Sequence, residues 1–147
     1  MNNIKRILLA EDNVNDIELT LEALADHRLA NEVVVVHDGA EALDYLYRRD
    51  AFKDRPMENP VVILLDLKMP KVDGLEVLRT IKSDPDLKRI PVVILTSSRE
   101  ESDLIRSYDL GVNAYVVKPV AFQEFVEAIK KIGAFWVLTN EPPSRKS

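Results

Sequence analysis

The chain has 147 residues, 46% hydrophobic and 31% charged, with a formal net charge of -5. That balance fits one globular domain with a sizeable core, and it disfavours nucleic acid or an anionic membrane as the main partner. The absence of cysteine excludes disulfides, zinc–thiolate sites and thiol nucleophiles.

In chain order, the opening MNNIKRILLAEDN carries only the short apolar run Ile7 to Ala10. A signal peptide needs roughly 7–15 apolar residues at that place. No segment approaches the roughly 18 needed to span a bilayer, so a cytoplasmic protein is expected. The first run stops at Glu11-Asp12, and a helix follows from about Asn15 to Asp26 with Ile17, Leu21 and Leu24 on one face. Val33 to Val36 reads as a second strand, the turn His37-Asp38-Gly39 follows, and Ala40 to Tyr47 carries Ala42, Leu43, Leu46 and Tyr47 at helical spacing. Neither His27 nor His37 has a partner at metal-ligand spacing.

Arg48 to Asn59 is a polar connection containing Pro56. The run Val61 to Leu65 then reads as a strand buried on both faces, yet it stops at a carboxylate, Asp66. After Asp73-Gly74, the spacing of Leu75, Val77, Leu78 and Ile81 predicts a helix. Val92 to Leu95 ends in Thr96-Ser97-Ser98 and precedes a helix around Glu100 to Leu110. Ala114 to Val117 ends in Lys118-Pro119 and precedes a last helix from about Phe122, whose stripe is Phe125, Val126, Ile129, Ile132 and Trp136.

Five strand–helix units in series imply an α/β protein, a flavodoxin-like doubly wound (βα)5 fold with a five-stranded parallel sheet in the order 2-1-3-4-5. Residues 1–139 form one domain including an extended C-terminal helix, and 140–147, with Pro142-Pro143, form a flexible tail. Such sheets place their site at the carboxyl ends of the strands. Glu11, Asp12 and Asp66 would crowd there, with Thr96 and Lys118 beside them. Three close carboxylates raise at least one pKa unless a cation intervenes. Mg²⁺ is the economical choice, since oxygen ligands are offered and no imidazole or thiolate is at hand. A carboxylate beside Mg²⁺ and an ammonium group is equipped to attack phosphorus and form an aspartyl phosphate.

The acid pair in LLAEDN, Asp66 in LLDLKMPKVDG, Thr96 in VVILTSS and Lys118 in AYVVKP together resemble a two-component response-regulator receiver domain. The resemblance spans about Ile7 to Ile132. It implies Asp66 as phosphoacceptor and Glu11, Asp12, Asp66 and the Lys68 backbone carbonyl as the Mg²⁺ set. It also implies Thr96 and Tyr115 as switch residues, Lys118 as the phosphate-contacting lysine, and a cis bond before Pro119. A stand-alone regulator is expected, a phosphoacceptor and not a turnover enzyme. The insertion before Val61, the TSSREE turn and the ending GAFWVLTNEPP resemble the small regulators that partner phytochrome-type histidine kinases.

A haloacid-dehalogenase-like phosphatase would place a second Asp where Lys68 stands. In a flavin-binding relative, Glu11-Asp12 would repel the cofactor's phosphate. The alternative reading is a pseudo-receiver, an interaction module working without phosphorylation. In the receiver reading, phosphorylation draws Thr96 toward the phosphoryl group and lets Tyr115 rotate inward, changing the face made by the fourth helix, fifth strand and last helix. Lys68 and Ser98, two residues past Asp66 and Thr96, would border the path of a hydrolytic water. Phe135, Trp136, Val137 and Leu138 add apolar surface on further faces of the last helix, which predicts a homodimer through that segment.

Overall fold

The computed structural model describes residues 5–25, 32–97, 112 and 114–132. The helix expected around 100–110, Ser98, His27, Phe135, Trp136, Val137, Leu138 and the tail lie outside the described residues.

Five strands, β1 (Arg6–Ala10), β2 (Glu32–Val36), β3 (Val62–Asp66), β4 (Val92–Thr96) and β5 (Tyr115–Val117), form one sheet in the order β2-β1-β3-β4-β5. Every pairing is parallel. The described helices are α1 (Val14–Ala25), α2 (Gly39–Tyr47), α3 (Gly74–Ser83) and the last helix (Phe122–Lys131), with short 3-10 turns at Asp50–Phe52 and Leu87–Arg89. The expected fold class and strand order are both observed.

The continuous apolar runs divide between two cores because successive strand side chains point to opposite faces. Leu8, Ala10, Ile63, Leu65 and Ile94 join residues of α2 and α3 on one side. Ile7, Leu9, Val62, Leu64, Val93 and Leu95 join residues of α1 and the last helix on the other. Each fully buried aliphatic side chain contributes about 1.5–3 kcal/mol, so β1, β3 and β4 are the stable middle of the molecule. The edges are less covered: Val33 to Val35 on β2 and Tyr115 and Val117 on β5 are only half-buried.

The turns are specified locally. Asp38 caps α2 by accepting the Glu41 N–H at 2.7 Å, and the Glu41 carboxylate accepts the His37 N–H at 2.6 Å; this reciprocal pair satisfies two otherwise orphaned donors. Asp73 caps α3 by accepting the Glu76 N–H at 3.0 Å. Gly74 follows because α3 begins hard against the end of β3, where a Cβ would run into the Asp66 carbonyl and Leu67 Cα. This contact fixes the backbone behind Asp66.

Two details differ from the pattern read in the sequence. Tyr47 is exposed, its hydroxyl donating to Asp84 Oδ2 at 2.7 Å instead of joining the core. The polar connection after α2 is organised by Arg55. Its Nε donates to the Tyr45 carbonyl at 2.6 Å, its Nη1 to the Pro56 and Glu58 carbonyls at 2.6 and 3.0 Å, and its Nη2 to the Leu46 carbonyl at 3.3 Å. The guanidinium lies 4.4 Å from the Tyr45 ring centroid. A planar fork can reach several carbonyls while stacking on a ring, which an ammonium cannot do. Among the described residues, no helix is long and apolar enough to cross a membrane.

Candidate functional site

The strands end nearly level. Ala10 pairs with Leu65, Asp66 with Leu95, and Thr96 with Val117. That register sets the residues just past β1, at the ends of β3 and β4, and just past β5 along one rim. Glu11 is wholly buried, Asp66 and Thr96 are nearly so, and Asp12 is exposed. One carboxylate oxygen from each of Glu11, Asp12 and Asp66 lies within 4.8 Å of the others.

Lys118 reaches into this group across the sheet. Its Nζ donates to Asp16 Oδ2 at 3.1 Å, Glu11 Oε1 at 3.2 Å and Asp66 Oδ2 at 3.3 Å. The Lys118–Pro119 peptide bond is cis, and the Lys118 N–H donates to the Thr96 carbonyl at 2.7 Å. Backbone donors also point at the acids: Lys68 N–H to Asp66 Oδ1 at 3.1 Å, and Asn13 N–H to Glu11 Oε2 at 3.2 Å. The Lys68 side chain itself is exposed.

Electrostatically the rim carries excess negative charge. Two unit charges about 4 Å apart interact by about 4 kcal/mol at an effective dielectric of 20, so one ammonium cannot offset four neighbouring carboxylates. Burial pushes the Glu11 carboxyl up to about 7, and the hydrogen bond and charge of Asp66 add to that, against Lys118 and the Asn13 N–H. Desolvation therefore outweighs the mutual repulsion emphasised by the sequence. Burial works against the Lys118 ammonium, but Asp66, Asp16 and Glu11 outweigh it and hold its pKa above the ordinary value.

The donor set suits a hard divalent cation. All the offered atoms are carboxylate oxygens, close enough to share one ion, and the cluster contains no imidazole or thiol. Five of the residues singled out in the sequence, Glu11, Asp12, Asp66, Thr96 and Lys118, thus lie along one rim. Tyr115 stands apart, half-buried on edge strand β5 and packed against the core on the α2–α3 side. Sequence reasoning missed Asp16. It lies four residues after Asp12 in the first turn of α1, and nothing in the helix repeat marks its direction toward Lys118.

The chain matches the family model for the response regulator receiver domain over residues 7–130. It is 41% identical over 140 residues to "Response regulator Rcp1" of Synechocystis sp. (strain ATCC 27184 / PCC 6803 / Kazusa), covering 95% of this chain and 94% of that protein. Among solved structures it is similar to the bacteriophytochrome response regulator AtBRR, with 61% identity, a TM-score of 0.87, and coverage of 95% of this chain and 100% of the other. It is also similar to the phosphorylated cyanobacterial phytochrome response regulator RcpA, with 47% identity, a TM-score of 0.76 and coverage of 97% and 100%. The Mn²⁺-bound form of Rcp1 matches at 41% identity with a TM-score of 0.74, covering 95% and 99%. Sequence and fold together therefore make this chain a member of the response regulator receiver family, whose members are signalling phosphoacceptors and not turnover enzymes.

Proposed function

We propose that Asp66 accepts a phosphoryl group from a histidine kinase of the phytochrome type, with Mg²⁺ as the supporting ion. The observation that carries this reading is the placement of Asp66: a nucleophilic carboxylate at the end of a strand buried along its whole length, 3.3 Å from an ammonium and beside two further acids. In the transfer, an Asp66 oxygen forms the new O–P bond as the bond from phosphorus to the donor's imidazole nitrogen breaks, and the electron pair returns to that nitrogen. Asp12, Asp66, the Lys68 carbonyl and, through water, Glu11 would hold the ion. When bound, it supplies charge neutralisation to the phosphoryl oxygens.

Lys118 turns an N–H from Asp66 to a phosphoryl oxygen, and the Thr96 hydroxyl donates to another. Movement of Thr96 frees space for Tyr115, whose rotation alters the face around β5 and the last helix. Lys68, long and exposed beside Asp66, slows hydrolysis by covering the approach of water. In this reading residues 1–139 act as one cytoplasmic domain, and the Gly133–Leu138 segment mediates a homodimer. The phytochrome link is supported by two relatives: a bacteriophytochrome response regulator and a cyanobacterial phytochrome response regulator are both similar in sequence and fold.

Phosphotransfer from phytochrome-type and unrelated histidine kinases to the wild-type protein tests the reading. Rapid labelling by the phytochrome type alone, lost in Asp66→Asn, is the expected result. No labelling by any kinase would favour an interaction module that works without phosphate. Sedimentation of the full chain and of a chain ending at Ile132 tests the dimer, which the truncation should abolish.

A further inference from the structure

We infer that Asp16 is a positioning residue for the phosphoryl transfer: it holds the Lys118 ammonium at the rim while that group changes partner. The inference rests on the reading of Asp66 as phosphoacceptor. An ammonium has three N–H donors, and all three of Lys118 are engaged, by Asp16, Glu11 and Asp66, with Asp16 the nearest at 3.1 Å. The donor now facing Asp66 is the one that must turn to a phosphoryl oxygen. Two contacts then remain to keep the ammonium in place.

Those two differ. Glu11 belongs to the group of carboxylates whose oxygens are close enough to share a cation, and Asp16 does not. A divalent ion bound there, reaching Glu11 through water, would draw on the Glu11 carboxylate that Lys118 also uses and would leave Asp16 untouched. Asp16 is also held firmly. Its N–H donates to Asn13 Oδ1 at 2.9 Å, and its carbonyl accepts from Thr20 Oγ1 at 2.8 Å, Thr20 being buried. These bonds fix the first turn of α1, so the side chain is presented to Lys118 from a rigid support. The exposed side of the pair is modest: the Lys118 and Asp16 side chains retain 14% and 26% of their accessibility.

A solvated rim acid and a positioning acid predict opposite signs. Removing a bystander's negative charge would leave phosphorylation by an anionic donor unchanged or faster. Removing the anchor slows it, by about fivefold for one charge-assisted hydrogen bond at a partly exposed place. The experiment is the second-order rate constant for phosphorylation of the full chain by acetyl phosphate at saturating Mg²⁺, followed by intact mass. It compares wild type, Asp16→Asn, Asp16→Glu, Lys118→Ala and the Asp16→Asn/Lys118→Ala double variant, with thermal melts as a check on folding.

The expected result is a rate about fivefold lower in Asp16→Asn, recovered to within about twofold in Asp16→Glu, with no further loss when Asp16→Asn is added to Lys118→Ala. An unchanged or faster rate in Asp16→Asn, or the same fold loss without Lys118, overturns the role of Asp16 and leaves Asp66 as phosphoacceptor. Failure of the wild type to take up phosphate, or equal uptake by Asp66→Asn, overturns the phosphoacceptor reading itself.

Discussion

Lys118 and Arg55 both tie a distant segment to the body of the molecule, and they do so in opposite ways. Lys118 stands among three carboxylates, with a fourth acid, Asp12, close by. Arg55 stands among four backbone carbonyls and the face of Tyr45. At Arg55, neutral carbonyls take four of the five N–H donors and the Tyr45 ring faces the cation, with no excess of charge left at the place. At Lys118 the acids outnumber the cation, which is tolerable only if another positive charge or a proton arrives. Matched polar groups mark a clasp; a deliberate excess of one sign marks a site.

The difference can be broken experimentally, beginning with the largest effect. Lys118→Met leaves buried acids uncompensated, and in chelator it is expected to cost about 3 kcal/mol of unfolding free energy. Mg²⁺ should then raise its melting temperature more than that of the wild type, because the acids lack their internal partner. Denaturant titrations with and without Mg²⁺ measure both. An equal Mg²⁺ response in the two proteins would show that the ion does not share the acids with Lys118.

Arg55→Ala comes next, at about 2 kcal/mol, from carbonyls left without a charged donor and from lost stacking. Its destabilisation should be independent of Mg²⁺, and its phosphorylation by acetyl phosphate should match wild type. Arg55→Lys sharpens the point. It keeps the charge and loses the fork, so most of the loss should persist. Recovery of full stability would mean that charge alone holds the segment.

The smallest effect on stability is expected in Asp12→Ala. Removing one exposed carboxylate from an over-acidic rim should leave stability unchanged or raise it by about 0.5 kcal/mol. The same change should weaken Mg²⁺ binding by about tenfold or more, read by titration calorimetry. Loss of a structural residue would move both quantities downward together, so opposite signs distinguish a ligand from a support.

The comparison also explains what could be read from the sequence. The run Val61 to Leu65 ending on Asp66 was legible because a strand buried on both faces leaves no other use for a carboxylate there. Its partners Glu11, Asp12, Thr96 and Lys118 were legible as residues that end parallel strands, since parallel order aligns those ends. Asp38 and Asp73 were legible as turn residues ahead of their helices, and the capping bonds they make there are local interactions. Asp16 was not legible: its contact with Lys118 depends on how α1 is rotated against the sheet, and nothing within the helix repeat encodes that. Arg55 was missed for a related reason. It lies in a polar stretch without periodicity, and its partners at Tyr45 and Leu46 are carbonyls, which every residue possesses.

The central claim is that the excess charge at the rim exists to receive a phosphoryl group on Asp66 with the help of a divalent ion. Intact-mass spectrometry after incubation with acetyl phosphate tests this most directly, on wild type and Asp66→Asn, each with Mg²⁺ and with chelator. The account predicts a single added phosphoryl group on the wild type, present only with Mg²⁺, labile to base and absent from Asp66→Asn. Equal modification of Asp66→Asn, or modification of the wild type that persists in chelator, would contradict it.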